Sequence, residues 1–181
     1  MKFNFGNALA TALIATAWLA PAAFAQIQKF EGDWKTSNSV PFSQPLLIKD
    51  TFSNEEELAV VDQATLKNYY PIGELVILTY WNKKQISMLA YIKYGRNHRD
   101  NMTSNGLMSW GSLEIKVGNK VFKLEPNDKG DYLVTPELAT ALKNAPAGKA
   151  LMRLSVKQDA NQQFTTEIGE KTVAAWKVIY Q

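Results

Sequence analysis

Residues 73–94 read GELVILTYWNKKQISMLAYIKY, and the fold turns on how this stretch is read. Residues 73–81 and 85–94 are dense in β-branched and aromatic side chains, and Asn82-Lys83-Lys84 separates them. That pattern predicts two strands joined as a hairpin. Leu75, Ile77 and Thr79 alternate with Val76, Leu78 and Tyr80, so both faces are largely apolar. Strands of this kind sit centrally in a sheet, covered on two sides.

A second hairpin follows downstream. SLEIKV and KVFKLE flank Gly118-Asn119, a two-residue loop of residue types that tolerate positive φ. The loop length sets Val117 opposite Lys120, Ile115 opposite Phe122 and Leu113 opposite Leu124, with Glu114 opposite Lys123 on the other face. A one-residue slip would destroy both matches. Thr135-Pro136-Glu137 then has the order of an N-cap, a first helical residue and a dipole-favoured carboxylate, predicting a short helix that stops near Asn144. KALMRLSVK (149–157) alternates as a strand, and QFTTEI is another. EKTVAAWKVIY, at the C-terminal end, fits a helix with Val173, Trp176 and Tyr180 on one side, but its last three residues are β-prone.

Toward the N-terminus, KFEGDWKT and LLIKDTF read as further strands. Ser53 to Glu56 has capping-box spacing, which predicts a helix over 54–67. The alternative there is a strand through ELAVVD. The expected fold is mainly β, of the β-rich α+β class. It is a single-domain antiparallel β-sandwich or partly open barrel with two or three short peripheral helices.

Composition bounds the function. Residues 1–25 combine a short n-region with one lysine, an uncharged apolar run and Ala23 and Ala25 before a predicted cut at Ala25–Gln26, the pattern of a secretory signal peptide. The apolar run is shorter than the roughly 20 residues a membrane span needs. The mature chain, residues 26–181, is expected to be a single β-rich domain with no membrane span. It keeps 19 basic and 17 acidic residues, a net +2 too mild and dispersed to point to nucleic acid. There is no cysteine, so an exported chain must rest on its core rather than on disulfides, which suits a bacterial periplasmic or extracellular protein.

One histidine and no cysteine exclude the usual zinc sets. Glu125 to Asp131 carries oxygen ligands for calcium but reads better as an Asn-Asp-Lys-Gly turn. No metal is expected, and no cofactor, because phosphate-cradling and dinucleotide glycine motifs are absent. Nucleophile elbows are absent too.

The candidate recognition residues lie in GRNHRDNMTSNGLMSWG (95–111), which has no apolar period. Loops of that length are uncommon in compact domains and are often functional. An early turn at Asn105-Gly106 would shorten this one. It holds the one histidine, His98, and two of the three arginines, Arg96 and Arg99, with Trp110 at its end. Arginine grips carboxylate or phosphate bidentately, so these four residues suggest an anionic ligand or another envelope protein as partner.

Gly32-Asp33-Trp34, placed on the first strand, resembles the opening Gly-x-Trp of lipocalins, which are exported barrels of about this length that carry small apolar ligands. The resemblance covers three residues.

The leading expectation is an exported, non-enzymatic binding or accessory module. Two other classes stand beside it: a hydrolase of cell-wall or polysaccharide material acting through paired carboxylates, and a calycin-like carrier. A carrier needs a deep apolar cavity under Trp34. A hydrolase needs two carboxylates facing across a cleft at about 5–9.5 Å. A module needs an exposed aromatic or arginine-bearing patch. The sequence specifies no oligomeric state.

Overall fold

A computed structural model of the chain describes residues 27–37, 39–70, 73–94, 110–157 and 161–181. The expected signal peptide, the cut at Ala25–Gln26, and Arg96, His98 and Arg99 lie outside the described residues. Among the described residues, ten strands and two helices follow one another as β1 (Gln28–Glu31), β2 (Leu46–Lys49), β3 (Glu56–Tyr70), β4 (Gly73–Asn82), β5 (Gln85–Tyr94), β6 (Trp110–Val117), β7 (Lys120–Leu124), β8 (Tyr132–Leu133), α1 (Pro136–Lys143), β9 (Ala150–Val156), β10 (Gln163–Ile168) and α2 (Glu170–Ile179).

The strands form two open sheets, one in the order β1-β2-β3-β4-β5-β8 and the other β10-β9-β6-β7. This is the expected β-rich α+β class, with no closed barrel. Most pairs are antiparallel, but β1 and β2 run parallel, joined by a connection long enough for that crossover.

Both predicted hairpins form. β4 and β5 pair from Gly73–Tyr94 to Trp81–Ile86. β6 and β7 take the predicted register, Leu113 opposite Leu124, Ile115 opposite Phe122 and Val117 opposite Lys120. Glu114 stands opposite Lys123 as expected, but their charges are paired elsewhere. Glu114 also faces Arg153 across β9 and accepts from its guanidinium at 3.2 Å, while Lys123 pairs with Glu125 at 3.3 Å. β6 is a central strand, and the second neighbour offers the better fork.

Residues 54–67 depart from the helix expected there and form most of β3. Asn54 sits at φ 58°, outside helical space. Ser53 Oγ donates to Asp50 and accepts from the Glu55 backbone, closing a turn rather than a helix cap. β2 then pairs with Glu56–Ala59 and β4 with most of the strand from Ala59 onward. Local capping spacing loses to a slot between two strands, which suits Val60-Val61.

Two apolar clusters cover opposite faces of the first sheet. Val60, Leu75, Ile77 and Trp81 face the larger core, shared with Leu113, Ile115, Met152 and Leu154 of the second sheet. Ala59, Val61 and Tyr80 face a smaller one with Phe30, Leu46 and Ile48. Burial on both faces of β4 is as its sequence implies.

Both helices feed the larger core. Thr135 caps α1 by accepting from the Leu138 N–H at 3.2 Å, with Pro136 leading. The C-terminal segment is helical because Thr172, Val173, Ala175, Trp176 and Ile179 share one buried stripe. Trp176 packs against Trp81 at 5.0 Å between ring centroids. Tyr132 crosses between the sheets, its hydroxyl donating to the Gly111 carbonyl at 2.8 Å. Among the described residues no helix is long and apolar enough to cross a membrane.

Candidate functional site

Polar turns recur at one end of the first sheet, each built by an Asx side chain accepting backbone N–H groups two or three residues on. After β1, Gly32 takes φ 131°, ending the strand, and Asp33 accepts from the Lys35 N–H at 2.9 Å. Between β2 and β3, Asp50 Oδ1 accepts from the backbone of Phe52 at 2.8 Å and Ser53 at 2.7 Å. Those bonds, Ser53 first, hold the Asp50 carboxyl below its usual range. Between β4 and β5, Asn82 Oδ1 accepts from Lys84 at 2.8 Å and Gln85 at 2.7 Å.

These three turns enclose a groove of about 840 Å³, with Asp131 contributed by the segment before β8. Trp34 lies over Tyr80 with ring centroids 5.1 Å apart and planes only 12° from parallel. The Tyr80 hydroxyl donates to Glu57 Oε2 at 2.6 Å. Burial above all, then the hydrogen bond and charge of Glu57, push the Tyr80 hydroxyl well above its ordinary range, so it remains a neutral donor. The Lys35 ammonium stands 5.6 Å from the centre of the Trp34 ring. The groove is open and polar, and acidic side chains on it outnumber basic ones: Asp33, Asp50, Glu55, Glu56, Glu57 and Asp131 against Lys35, Lys83 and Lys84.

Phe52 stands at the tip of the turn that follows β2, 97% exposed, while its neighbours Thr51 and Ser53 line the groove. An aromatic ring so exposed contributes nothing to packing.

Trp34 therefore differs from the lipocalin expectation in two ways. It follows β1 in a turn instead of lying on the strand, because Gly32 breaks the strand first. What lies under it is Tyr80 and a charged groove, with the sheets left open where a carrier would close a barrel.

Of the sequence-predicted site residues, only Trp110 is described. It opens β6, half-buried, with its ring edge-on to Phe164 at 6.1 Å. It does not line the groove. β5 meets the groove at Gln85 and runs on to Tyr94, nine residues and so about 30 Å further along the strand.

The Glu125–Asp131 stretch is a turn. Asn127 Oδ1 accepts from the backbone of Lys129 at 2.9 Å and Asp131 at 3.0 Å, and Gly130 takes φ 83°. Among the described residues no group of three or more His, Asp or Glu side chains is placed to hold a metal ion.

Sequence reasoning does not assemble the groove: it reads Asp33 and Asp50 within strands, and marks only Asn82 and the stretch ending at Asp131 as turns. Phe52 carried no signal, since an isolated phenylalanine next to a turn is ordinarily buried. No protein-family model matches the chain, and no curated protein or solved structure matches it either.

Proposed function

We propose that this chain is an exported binding module of the bacterial envelope, periplasmic or extracellular, and that the groove beside Trp34 is its contact surface. The observation that carries the reading is Phe52, 97% exposed in a turn whose Thr51 and Ser53 line a groove walled by the Trp34–Tyr80 stack. Exposed aromatics flanking a cleft are what a recognition surface uses, because they add large contact area at low entropic cost.

The state of the carboxylates favours binding over hydrolysis. A general acid needs a carboxyl raised toward neutrality. Asp50 is held low, and both it and Asp33 are engaged in their turns. Glu57 is engaged with Tyr80.

The test is to array the mature chain, Phe52→Ser and Trp34→Ala against panels of glycans, peptides and small metabolites. Phe52 is exposed, so its replacement leaves the thermal midpoint unchanged. The reading expects a ligand whose capture falls at least fivefold in both variants. A ligand captured equally well by all three proteins refutes the groove as the contact surface.

A further inference from the structure

The groove already holds a cation: the chain's own Lys35 ammonium lies 5.6 Å from the centre of the Trp34 ring. We infer that the ligand of this groove is an organic cation, an alkylammonium or guanidinium on an apolar stem, which displaces Lys35 from the face of Trp34. The inference rests on the groove being the contact surface.

Three observations converge on it. The first is the ring itself. Indole is the best aromatic face for a cation, and here Tyr80 stacks beneath it at 5.1 Å and holds it in place. The second is the unspent charge. Among the described residues Glu55, Glu57 and Asp131 make no ion pair. Glu57 gives one oxygen to the Tyr80 hydroxyl, and its other oxygen has no hydrogen bond among those residues. The third is the placement of the opposing lysines. Lys83 donates to the Gln181 main-chain oxygen at 3.3 Å. Lys84 lines the groove as well, so of its three lysines it is Lys35 whose ammonium is placed over the ring. A lysine in that position competes with an incoming cation for the same ring face and repels it, whereas it would attract an anion.

That competition gives the inference its sign. Trp34→Ala removes the face and should abolish binding. Glu57→Gln keeps the bond to Tyr80 but removes the charge, and should weaken binding severalfold. Lys35→Gln removes the internal competitor. An exposed cation–π contact corresponds to about a two- to fivefold change in affinity, so Lys35→Gln should tighten binding by that factor. A groove that merely needed its surface intact would lose affinity in all three.

The experiment is calorimetric titration of the full mature protein with three probes of matched length: 1,5-diaminopentane, 1,5-pentanediol and glutarate. A short peptide bearing two lysines forms a second arm that separates a free amine from a side chain of a larger partner. Circular dichroism checks that each variant folds. The expected result is binding of the diamine or the peptide, weakened by added salt as charge attraction requires, absent in Trp34→Ala and tighter in Lys35→Gln. Weaker binding in Lys35→Gln overturns the displacement. Binding of the diol or glutarate instead, lost in Trp34→Ala, overturns the cation class and leaves the groove standing. No response to diamine or peptide at 10 mM also overturns the cation class, while the Phe52→Ser comparison decides the groove separately.

Discussion

Replacing Asp62 with alanine is expected to cost the fold about 2–4 kcal/mol. Asp62 is a carboxylate on β3, 4% exposed. Its Oδ1 accepts from Thr172 Oγ1 at 2.6 Å and from Ser43 Oγ at 3.0 Å, tying β3 to the first turn of α2 and to the connection before β2. A hydrogen bond to a charged group contributes about 1.5–3 kcal/mol net. Both hydroxyls share one oxygen, and deleting the carboxylate also relieves its desolvation, so the two bonds do not sum. What remains is the Thr172 hydroxyl, fully buried and left without its acceptor, at about 1–3 kcal/mol. Lost contact with Ser43 and the emptied volume supply the rest. For a chain of this size each kcal/mol lowers the thermal midpoint by about 2–4 °C. The assay is urea unfolding of the mature protein followed by far-ultraviolet circular dichroism. Thr172→Val, which keeps the shape and deletes the donor, completes a cycle. The double variant should lose less than the two single losses combined, by about 1–2 kcal/mol. A loss under about 0.5 kcal/mol for Asp62→Ala, or strict additivity with Thr172→Val, refutes the view that this carboxylate docks α2 onto the sheet.

Four further outcomes are expected. Tyr180→Phe should stabilise the protein by about 1 kcal/mol in the same urea assay, because the Tyr180 hydroxyl is buried without a hydrogen-bond partner among the described residues; a loss would mean that the hydroxyl has an acceptor. Gly111→Ala should cost about 1–3 kcal/mol, since its new Cβ would stand 2.6 Å from Ser155 Oγ, and Ser155→Ala in the same chain should recover part of that midpoint. Burial pushes the hydroxyls of Tyr80, Tyr132 and Tyr180 upward, aided by Glu57 for Tyr80 and Glu125 for Tyr132. The unfolded chain thus releases these protons near pH 10 while the folded chain keeps them, so stability is intact below that pH and falls above it, by up to about 1.4 kcal/mol per pH unit for each. Tyrosinate absorbance should rise together with loss of circular dichroism, and all seven tyrosines ionising near pH 10 with the fold intact would contradict the burial argument. Finally, Arg96→Ala with Arg99→Ala tests the anionic partner expected from the sequence: weaker capture in pull-downs at an unchanged thermal midpoint supports it, and an unchanged partner profile refutes it.

What was legible in the sequence is what local chemistry determines. The Gly118-Asn119 loop sets its own register, so the β6–β7 pairing could be written down residue by residue. Thr135-Pro136 likewise starts α1 where it was expected. Where a local signal and a neighbour disagree, the neighbour wins. The capping-box spacing of Ser53 and Glu56 is real, but β3 lies between β2 and β4, and ladder bonds along its length outweigh one cap. The parallel β1–β2 pair left no trace, because a parallel pair has no turn of its own to read.

The groove was illegible for a related reason, and that reason bears on what it does. Its parts come from Asp33, Asp50, Asn82 and Asp131, positions brought together only by the sheet order. Each of the first three is spent on its own turn, whereas the sequence alone puts Asp33 and Asp50 inside strands. The two aspartates among them are nevertheless acidic side chains. Asp33 and Asp50 accept backbone N–H groups, which do not neutralise them, so the turns that shape the groove also set its field. Structural and electrostatic roles thus coincide in the same side chains. Replacing Asp50 by Asn would keep the turn acceptor and remove the charge, whereas replacing it by Ala would lose both. A cation-binding groove should therefore lose affinity to Asn and Ala alike, while the turn should suffer only from Ala. The separation of those two losses, affinity by calorimetry and stability by melting, is the cleanest way to learn whether the acidic rim serves the ligand or only the fold.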